Sequence, residues 1–289
     1  MKANIPARTD DHPLFQIDEQ VERQGLVVID ITSQPQNNDP YISPYVIVAL
    51  CQQGTAWSDY DMMPVEFHTH DMTFMHQGHI VKGKATSPDY RARFIVMSAG
   101  FFERFKQTDF ARYHNHVPYY DDIPACHLND EQYRQMNEMF NVLQTVCMVG
   151  NRYREEMAMS VLRTLVMLRY EFRPIPAVEQ SETGYHRLSD QFKEAVIKHF
   201  HESHKVSFYA HLFSLSPKYF STLIKAETGI SASEWIENYV TLQAKTLLTK
   251  HRNMSVQQTA ELLGFSEQAA FSRFFKHRTG LSPTEYRSQ

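Results

Sequence analysis

The chain has 289 residues, of which 42% are hydrophobic, and its formal net charge is −4 at pH 7. This length suffices for two globular domains with separate cores, and the longest apolar runs are far shorter than the roughly 20 residues that a membrane-spanning helix needs. We therefore expect a cytoplasmic protein with no membrane partner, and the separated Cys51, Cys126 and Cys147 indicate reduced thiols, not a disulfide framework.

Short runs rich in β-branched and aromatic residues follow one another between about residue 25 and residue 100. Separated by polar and turn-forming residues, such runs predict strands of an antiparallel barrel or sandwich. The predicted strands are Leu26–Thr32, Tyr45–Cys51, Met72–Met75 and Arg93–Met97. We therefore assign residues 1–128 to a β-rich domain.

Two aromatic residues of this domain, Trp57 and Tyr60, are candidates to line a pocket for a small effector. Large aromatic side chains in a barrel are more often part of the core, so this alternative stays open. The sequence has no nucleophile elbow, phosphate loop or pair of catalytic carboxylates. It therefore does not favour an enzyme.

Four histidines lie close together in the same domain. His68 and His70 have the spacing of the first two ligands in metal-binding cupins, because side chains two apart on a strand share a face. The glutamate that such a site needs about four residues later is missing, and His76 and His79 would lie on opposite faces if the strand continued. We expect hydrogen-bonded or solvated histidines, with no metal and no other cofactor.

In residues 129–172 the apolar period changes to three or four residues. This spacing predicts two amphipathic helices, Asn129–Val149 and Arg152–Phe172. Their stripes, around Phe140 and Leu165, are compatible with burial inside one subunit or between two. A homodimer that pairs through these helices is therefore a candidate assembly.

Residues 173–184 contain prolines followed by polar residues without an apolar period, which predicts an interdomain linker. The charge balance changes sign across it. Residues 185–289 hold 13 Lys and Arg against 9 Asp and Glu, a balance of +4, whereas residues 1–184 hold 16 against 24, a balance of −8. The C-terminal domain is therefore the part suited to a polyanion.

Serines recur at predicted helix starts in this C-terminal domain. Ser216 precedes Pro217, and Ser266 is expected to cap a later helix in the same way. Three further serines have Glu or Gln three residues later, the spacing of a capping box; they are Ser231, Ser255 and Ser282. The pattern predicts many short helices and no strands.

The C-terminal domain also repeats itself. Phe220, Lys225 and Thr228-Gly229 recur 51 residues later, whereas Ala210 and Ser216 recur 50 residues later, so the second copy has gained one residue. Each copy offers a short helix, a turn and a second helix. This is the layout of a helix-turn-helix.

The segment 264–287, GFSEQAAFSRFFKHRTGLSPTEYR, closely resembles the signature of the AraC/XylS family. The resemblance extends from about Phe192 to Arg287. It implies a seven-helix domain in which one long helix, here Ala232–Leu248, bridges two helix-turn-helix units. It further implies an α+β chain in which a cupin-like β-barrel with two helices precedes the all-α domain of residues 185–289.

The resemblance implies a regulator of transcription that binds double-stranded DNA sequence-specifically, with RNA polymerase as a further partner and a small-molecule effector in the N-terminal domain. Carried over position by position, the DNA-facing residues are Lys218, Ser221 and Thr222 in the first unit, and Glu267, Gln268, Ala269, Ser272 and Arg273 in the second. We expect the recognition helices, Pro217–Glu227 and Glu267–Arg278, to enter successive major-groove segments roughly 34 Å apart.

Three residues depart from the family pattern: Thr241 on the bridging helix, where arginine is usual, Ile224 in place of phenylalanine, and Ser214 in the first turn. Two other functions are compatible with the sequence. One is a metal-dependent cupin enzyme with a DNA-binding tail, which the histidines would favour. The other is a protein-interaction module with degenerate helix-turn-helix units, which the short hydroxyl side chains of Ser221 and Thr222 would favour.

Overall fold

The computed structural model describes residues 17–32, 39–108, 125–148, 150, 152–172 and 188–288. The chain divides into two units, one spanning Arg8–Tyr185 and the other containing His186–Gln289. The predicted linker, residues 173–184, lies outside the described residues. No described helix combines the length and the apolar character needed to cross a bilayer.

Strands dominate the N-terminal unit, and the runs of β-branched residues correctly predicted β1, β3, β6 and β8. In chain order the described elements are α1 Asp18–Gln24, β1 Leu26–Ile31, β2 Tyr41–Ile42, β3 Tyr45–Gln53, β4 Thr55–Tyr60, β5 Met63–His68, β6 Asp71–Met75, β7 Ile80–Thr86, β8 Arg91–Ser98, α2 Ala99–Lys106, β9 Ala125–His127, α3 Asp130–Met148 and α4 Arg154–Glu171. The strands that the sequence did not predict are either very short or, like β4 and β5, carry polar residues on one face.

The strands form two antiparallel sheets. Sheet A has the order β1-β8-β3-β6-β9 and sheet B the order β2-β7-β4-β5. The predicted β-rich domain is confirmed, but the sheets do not close into one barrel. At their edges β2 and β9 have only 2 and 3 residues, too short to extend a ladder of hydrogen bonds to the other sheet.

Sheet A is buried on both faces because successive side chains of a strand point to opposite sides. In β3, Val46 and Val48 pack with α2, α3 and α4, whereas Ile47 and Ala49 pack toward sheet B. On the helix side, Phe140 and Leu165 are fully buried within this one chain. Of the two alternatives for the predicted helix stripes, burial inside the subunit is therefore correct for these residues.

The described residues of the C-terminal unit form helices joined by short loops and contain no strand. Its seven described helices are α5 Leu188–His199, α6 Val206–Leu212, α7 Pro217–Thr228, α8 Ala232–Lys250, α9 Val256–Leu262, α10 Gln268–Thr279 and α11 Pro283–Arg287. This number agrees with the family resemblance. The two predicted recognition helices correspond to α7 and α10, each displaced by a single residue at one or both ends.

The long helix α8 joins the two halves of this unit. Near its start, the Trp235 ring lies 5.7 Å from that of Phe192 on α5, in an edge-on contact. Toward its end, Leu248 packs in one cluster with Phe271 and Phe275 of α10. The predicted bridging helix is therefore confirmed, and it contributes to the core beneath both helix-turn-helix units.

A buried arginine ties α3 to sheet A in the N-terminal unit. Arg93 lies opposite Asp30 in the β1-β8 ladder, and its Nε donates a 3.0 Å hydrogen bond to that carboxylate. Its two terminal nitrogens donate to side-chain oxygens of Asn141, at 2.6 Å, and Gln144, at 2.8 Å, on α3. Because the guanidinium is almost fully buried, these acceptors replace its water.

Arg93→Ala should lower the free energy of unfolding of the N-terminal unit by about 2 to 4 kcal/mol, since a buried, multiply bonded charge is removed and its acceptors lose their donors. The matched control is Arg104→Ala, because Arg104 of α2 also forms an ion pair within this unit, with Glu155 of α4, but both side chains are half exposed. The control should cost less than about 1 kcal/mol. Urea unfolding followed by circular dichroism tests the difference, and equal costs would contradict the assigned role.

Candidate nucleic-acid interface

The two recognition helices end in the same way, which confirms the internal repeat. At the end of α7, the Thr228 hydroxyl donates to the Ile224 carbonyl at 2.8 Å, and Gly229 follows with φ of 77°. At the end of α10, the Thr279 hydroxyl donates to the Phe275 carbonyl at 2.8 Å, before a glycine with φ of 81°. A left-handed glycine is the usual residue after a helix, since it has no side chain to clash.

The helix starts are mostly those expected from the serines. Ser216, Ser231, Ser255 and Ser282 each accept a hydrogen bond from the backbone N–H three residues later, and the last two form complete capping boxes. Ser266 does not cap α10, contrary to expectation.

The cause of that exception is the residue gained in the second copy. Phe220 is four residues after its cap, but Phe271 is five residues after Ser266. For Phe271 to face the core, α10 has to begin one residue later. The extended residue before the helix is therefore Glu267, whose side chain makes no capping bond.

The turns inside the two helix-turn-helix units occupy equivalent positions. Ser214 has φ of 56° in the first, and Gly264 has φ of 79° in the second. The loop between α5 and α6 packs against the second turn, where the His204 ring lies 4.6 Å from that of Phe265 and its Nε2 lies 2.7 Å from the Leu263 carbonyl. Burial lowers the pKa of His204, which favours a neutral ring donating this hydrogen bond.

Of the DNA-facing residues predicted on α7, Lys218 and Thr222 are exposed and Ser221 is half-buried. The Ser221 hydroxyl donates to the Pro217 carbonyl at 2.8 Å, and the Thr222 hydroxyl to the Lys218 carbonyl at 3.0 Å. Both hydroxyls are thus engaged by their own helix. Tyr219, which sequence reasoning missed, is 55% exposed beside them; its place outside the buried stripe of Phe220 and Ile224 was the available signal.

The second recognition helix exposes most of its predicted residues. Phe271 and Phe275 are fully buried, and Phe274 is half-buried. Ser272 is half-buried; the exposed residues are Glu267, Gln268, Ala269 and Arg273. The predicted set therefore lies on the solvent-facing side of α10, near its N-terminal end.

Most of the positive charge on the recognition helices is exposed to solvent, and Lys276 also interacts electrostatically with Glu285. Lys218, Lys225, Arg273 and Lys276 are exposed and form no ion pair with another described residue. Arg278, by contrast, pairs with Glu237 of the bridging helix at 3.2 Å. The four unpaired cations are available to phosphate groups, whereas Arg278 fixes α10 on α8.

The candidate metal ligands of the N-terminal unit do not come together. His68 ends β5, whereas His70 lies in the turn before β6 with φ of 71°, so the two do not share a strand face as expected. The His70 ring instead stacks on Tyr133 of α3, with centroids 4.1 Å apart. Among the residues that the structure describes, no three His, Cys, Asp or Glu side chains are placed to hold a metal ion.

The remaining two histidines lie beyond the end of β6. The strand ends at Met75, so His76 and His79 are not on opposite faces of a continued strand. His79 is buried, its Nδ1 lies 2.8 Å from a carboxylate oxygen of Asp61, and its ring stacks on Tyr60 at 5.2 Å. These contacts are those of a hydrogen-bonded core histidine.

A cavity of about 40 Å³ lies between sheets A and B. Its lining is Ile31, Tyr41, Ala49, Cys51, Ser58, Phe67, Asp71, Thr73, Met75, Val81, Gly83, Tyr90, Ala92 and Phe94. Neither candidate aromatic residue is among them, because Trp57 is on the outer face of β4 and Tyr60 stacks on a histidine. Sequence reasoning missed Asp71 and Thr73, which alternate with apolar residues along β6.

Comparison with known proteins assigns the helical unit. A family model described as a helix-turn-helix domain matches residues 209–289, which include both recognition helices. The chain is 30% identical over 156 residues to the arabinose operon regulatory protein of Salmonella typhimurium, covering 53% of each. It is 33% identical over 141 residues to the protein of the same name from Escherichia coli, covering 47% of this chain and 46% of that one. The chain thus spans about half the length of these relatives.

Among solved structures, ToxT from Vibrio cholerae aligns over 91% of this chain and 97% of its own, with 13% identity and a TM-score of 0.44.

Gly264→Ala should destabilise the C-terminal unit by about 3 kcal/mol for two reasons. The alanine would have to adopt a left-handed backbone conformation, and its Cβ would lie 2.2 Å from the His201 carbonyl oxygen. The matched control is Gly280→Ala, at φ of 81° with open space around the new Cβ. The control should cost about 1 kcal/mol. Fluorescence of Trp235 in a Trp57→Phe background follows unfolding of this unit, and equal losses would show that the contact with His201 does not constrain the turn.

Proposed function

We propose that this chain has a C-terminal unit of the AraC/XylS family and is a sequence-specific DNA-binding regulator of transcription, not an enzyme. One observation carries the proposal: two matching recognition helices, each with exposed unpaired cations, pack on the same bridging helix. Such a pair is suited to successive major-groove segments of one duplex. The match of the helix-turn-helix family model supports the same function.

In this proposal the two recognition helices contact different parts of the DNA. On α7, Lys218 binds phosphate, since the neighbouring hydroxyls are engaged by the helix backbone. On α10, Gln268 and Arg273 read base edges, because glutamine pairs with adenine and arginine with guanine in the major groove. The second helix-turn-helix unit therefore makes most of the base-specific contacts.

The other partners follow from a regulatory role. RNA polymerase is the macromolecule on which a DNA-bound regulator acts, and the cytoplasm is where we place the protein. The N-terminal unit binds a small effector, for which the cavity between its sheets is the site.

Arg273→Ala should weaken binding to the preferred DNA site by about 1 to 3 kcal/mol and relax sequence preference at one base pair. Gln268→Ala should also change preference, but with no change in salt dependence, because the side chain is uncharged. Selection of bound DNA sequences, followed by titrations at several salt concentrations, measures both effects.

A uniform loss of affinity on all sequences, with a salt slope smaller by about one, would make Arg273 a phosphate contact instead. If neither substitution changes affinity or preference while the protein stays folded, α10 does not make the base-specific contacts. If the unaltered chain binds no DNA, the proposed function fails and the alternative of an interaction module gains support.

We further propose that two copies pair through the outward stripe of α4. Met157 and Met167 are 43% and 41% exposed, and Val161 and Leu168 lie half-buried between and beside them. The hydroxyl of Thr164, in the same stripe, donates to its own helix backbone. The exposed Ser160 and Glu171 lie on the same face, and the Ser160 hydroxyl also donates to its own helix backbone, so the stripe is apolar in part. A self-complementary surface is what a twofold dimer uses.

Met167→Glu should convert the dimer into a monomer at micromolar concentration, since the charge would be buried against the partner copy. Thr145→Glu, an exposed position on α3 away from this stripe, is the control and should leave the mass unchanged. Leu165 is not a suitable test position, because it is buried inside the subunit and a glutamate there would unfold it. Analytical ultracentrifugation measures the mass of each protein in solution. An unaltered protein that sediments as a monomer would refute the proposed pairing.

A further inference from the structure

The cavity between the two sheets contains a buried hydroxyl with no partner. Thr73 is 4% exposed, and its Oγ1 makes no hydrogen bond to any described residue. Because Asp71, Thr73 and Met75 are two apart along β6 and all line the cavity, their side chains share the face that borders it. A buried hydroxyl without a partner is costly, so this group indicates a missing ligand or water.

The same wall carries a carboxylate, and Asp71 is the sole acidic side chain among the described residues of the lining. One oxygen accepts a 2.8 Å hydrogen bond from Nδ1 of His127, and the other a 2.7 Å hydrogen bond from the backbone N–H of His68. Neither donor is a lysine or arginine, although His127 forms an ion pair with Asp71 when its ring is protonated, and no lysine or arginine is among the described residues of the lining. Each carboxylate oxygen has a further lone pair with which to accept a bond.

The rest of the lining is apolar or neutral. Burial raises the pKa of the Cys51 thiol to about 11 and raises the pKa of the Tyr90 phenol, so both stay uncharged at neutral pH. The volume of about 40 Å³ exceeds that of a single water molecule. The cavity therefore fits a short alkyl group attached to one polar head.

We propose that this cavity binds a small aliphatic amine, whose ammonium group is held by Asp71 and Thr73. The ammonium supplies three donors and no acceptor, which suits the free lone pairs of the carboxylate and the hydroxyl oxygen. A carboxylate of the same size is excluded by charge repulsion from Asp71 in a low-dielectric site. The inference rests on the proposed regulatory function, because it names the chemistry of the effector.

Calorimetric titration of the full-length protein with n-butylamine, n-butanol and butyrate at pH 7 and equal ionic strength tests the proposal. Only the amine should bind, with a dissociation constant of about 1 mM or below, as expected for a very small ligand. Equal binding of the alcohol would show that charge is not recognised and would overturn the proposal. So would binding of butyrate, or no binding of the amine.

Three variants locate the site. Asp71→Asn should weaken amine binding at least about tenfold, since a charge-assisted hydrogen bond is lost. Asp59→Asn is the matched control, because Asp59 pairs with Lys84 at 2.5 Å and does not line the cavity. Its affinity for the amine should equal that of the unaltered protein, and a comparable loss in both variants would refute the assignment to Asp71.

Thr73→Val keeps the test decisive even if Asp71→Asn fails to fold. It removes a hydroxyl that has no protein partner, so the melting temperature without ligand should not fall, whereas amine affinity should. Unchanged affinity in Thr73→Val would refute the role of that hydroxyl. DNA binding measured on the same preparations separates the two proposals. A protein that binds DNA but no amine would refute only the amine proposal. A protein that binds the amine but no DNA would refute only the proposed regulatory function.

Discussion

The burial of the bridging helix α8 on several of its sides positions both recognition helices. Trp235 lies against Phe192 near the start of this helix, and Leu248 lies against the phenylalanines of α10 near its end. Helices of 7 to 12 residues are only marginally stable alone, so α6, α7, α9 and α10 depend on this packing. The residues that we propose to face DNA are therefore held in place by side chains that face the core.

Sheet A plays the corresponding part in the N-terminal unit, since it is packed on both sides. Along β6, Asp71 and Thr73 border the cavity, whereas Met72 between them packs in the cluster formed with the helices. The preceding residue, His70, stacks on Tyr133 of α3. Because such interiors are close-packed, a change at the cavity wall is felt on the helix side of the same strand. This connection is the physical basis on which we propose that an effector acts on α3 and α4.

Local signals predicted the boundaries of many elements, and each failure has an identifiable cause. Serine caps placed four helix starts correctly, because the capping bond spans only three residues. The prediction that Ser266 caps α10 was wrong, because burial of Phe271 in the core requires the helix to begin one residue later. The expectation that His68 and His70 share a strand face was wrong, because a turn with a left-handed residue at His70 separates them. Their spacing in the sequence does not indicate that turn.

The sequence by itself determined the helix-turn-helix repeat, the exposed face of α10 and the β-rich character of the first domain, since periodicity and capping act over a few residues. Only the tertiary structure decided that the sheets stay open, that Phe140 and Leu165 are buried within one chain, and that Asp71 and Thr73 share a cavity. Those features depend on contacts between residues far apart in the chain. Which faces meet is set by the packing of whole sheets and helices, and no single segment contains that information.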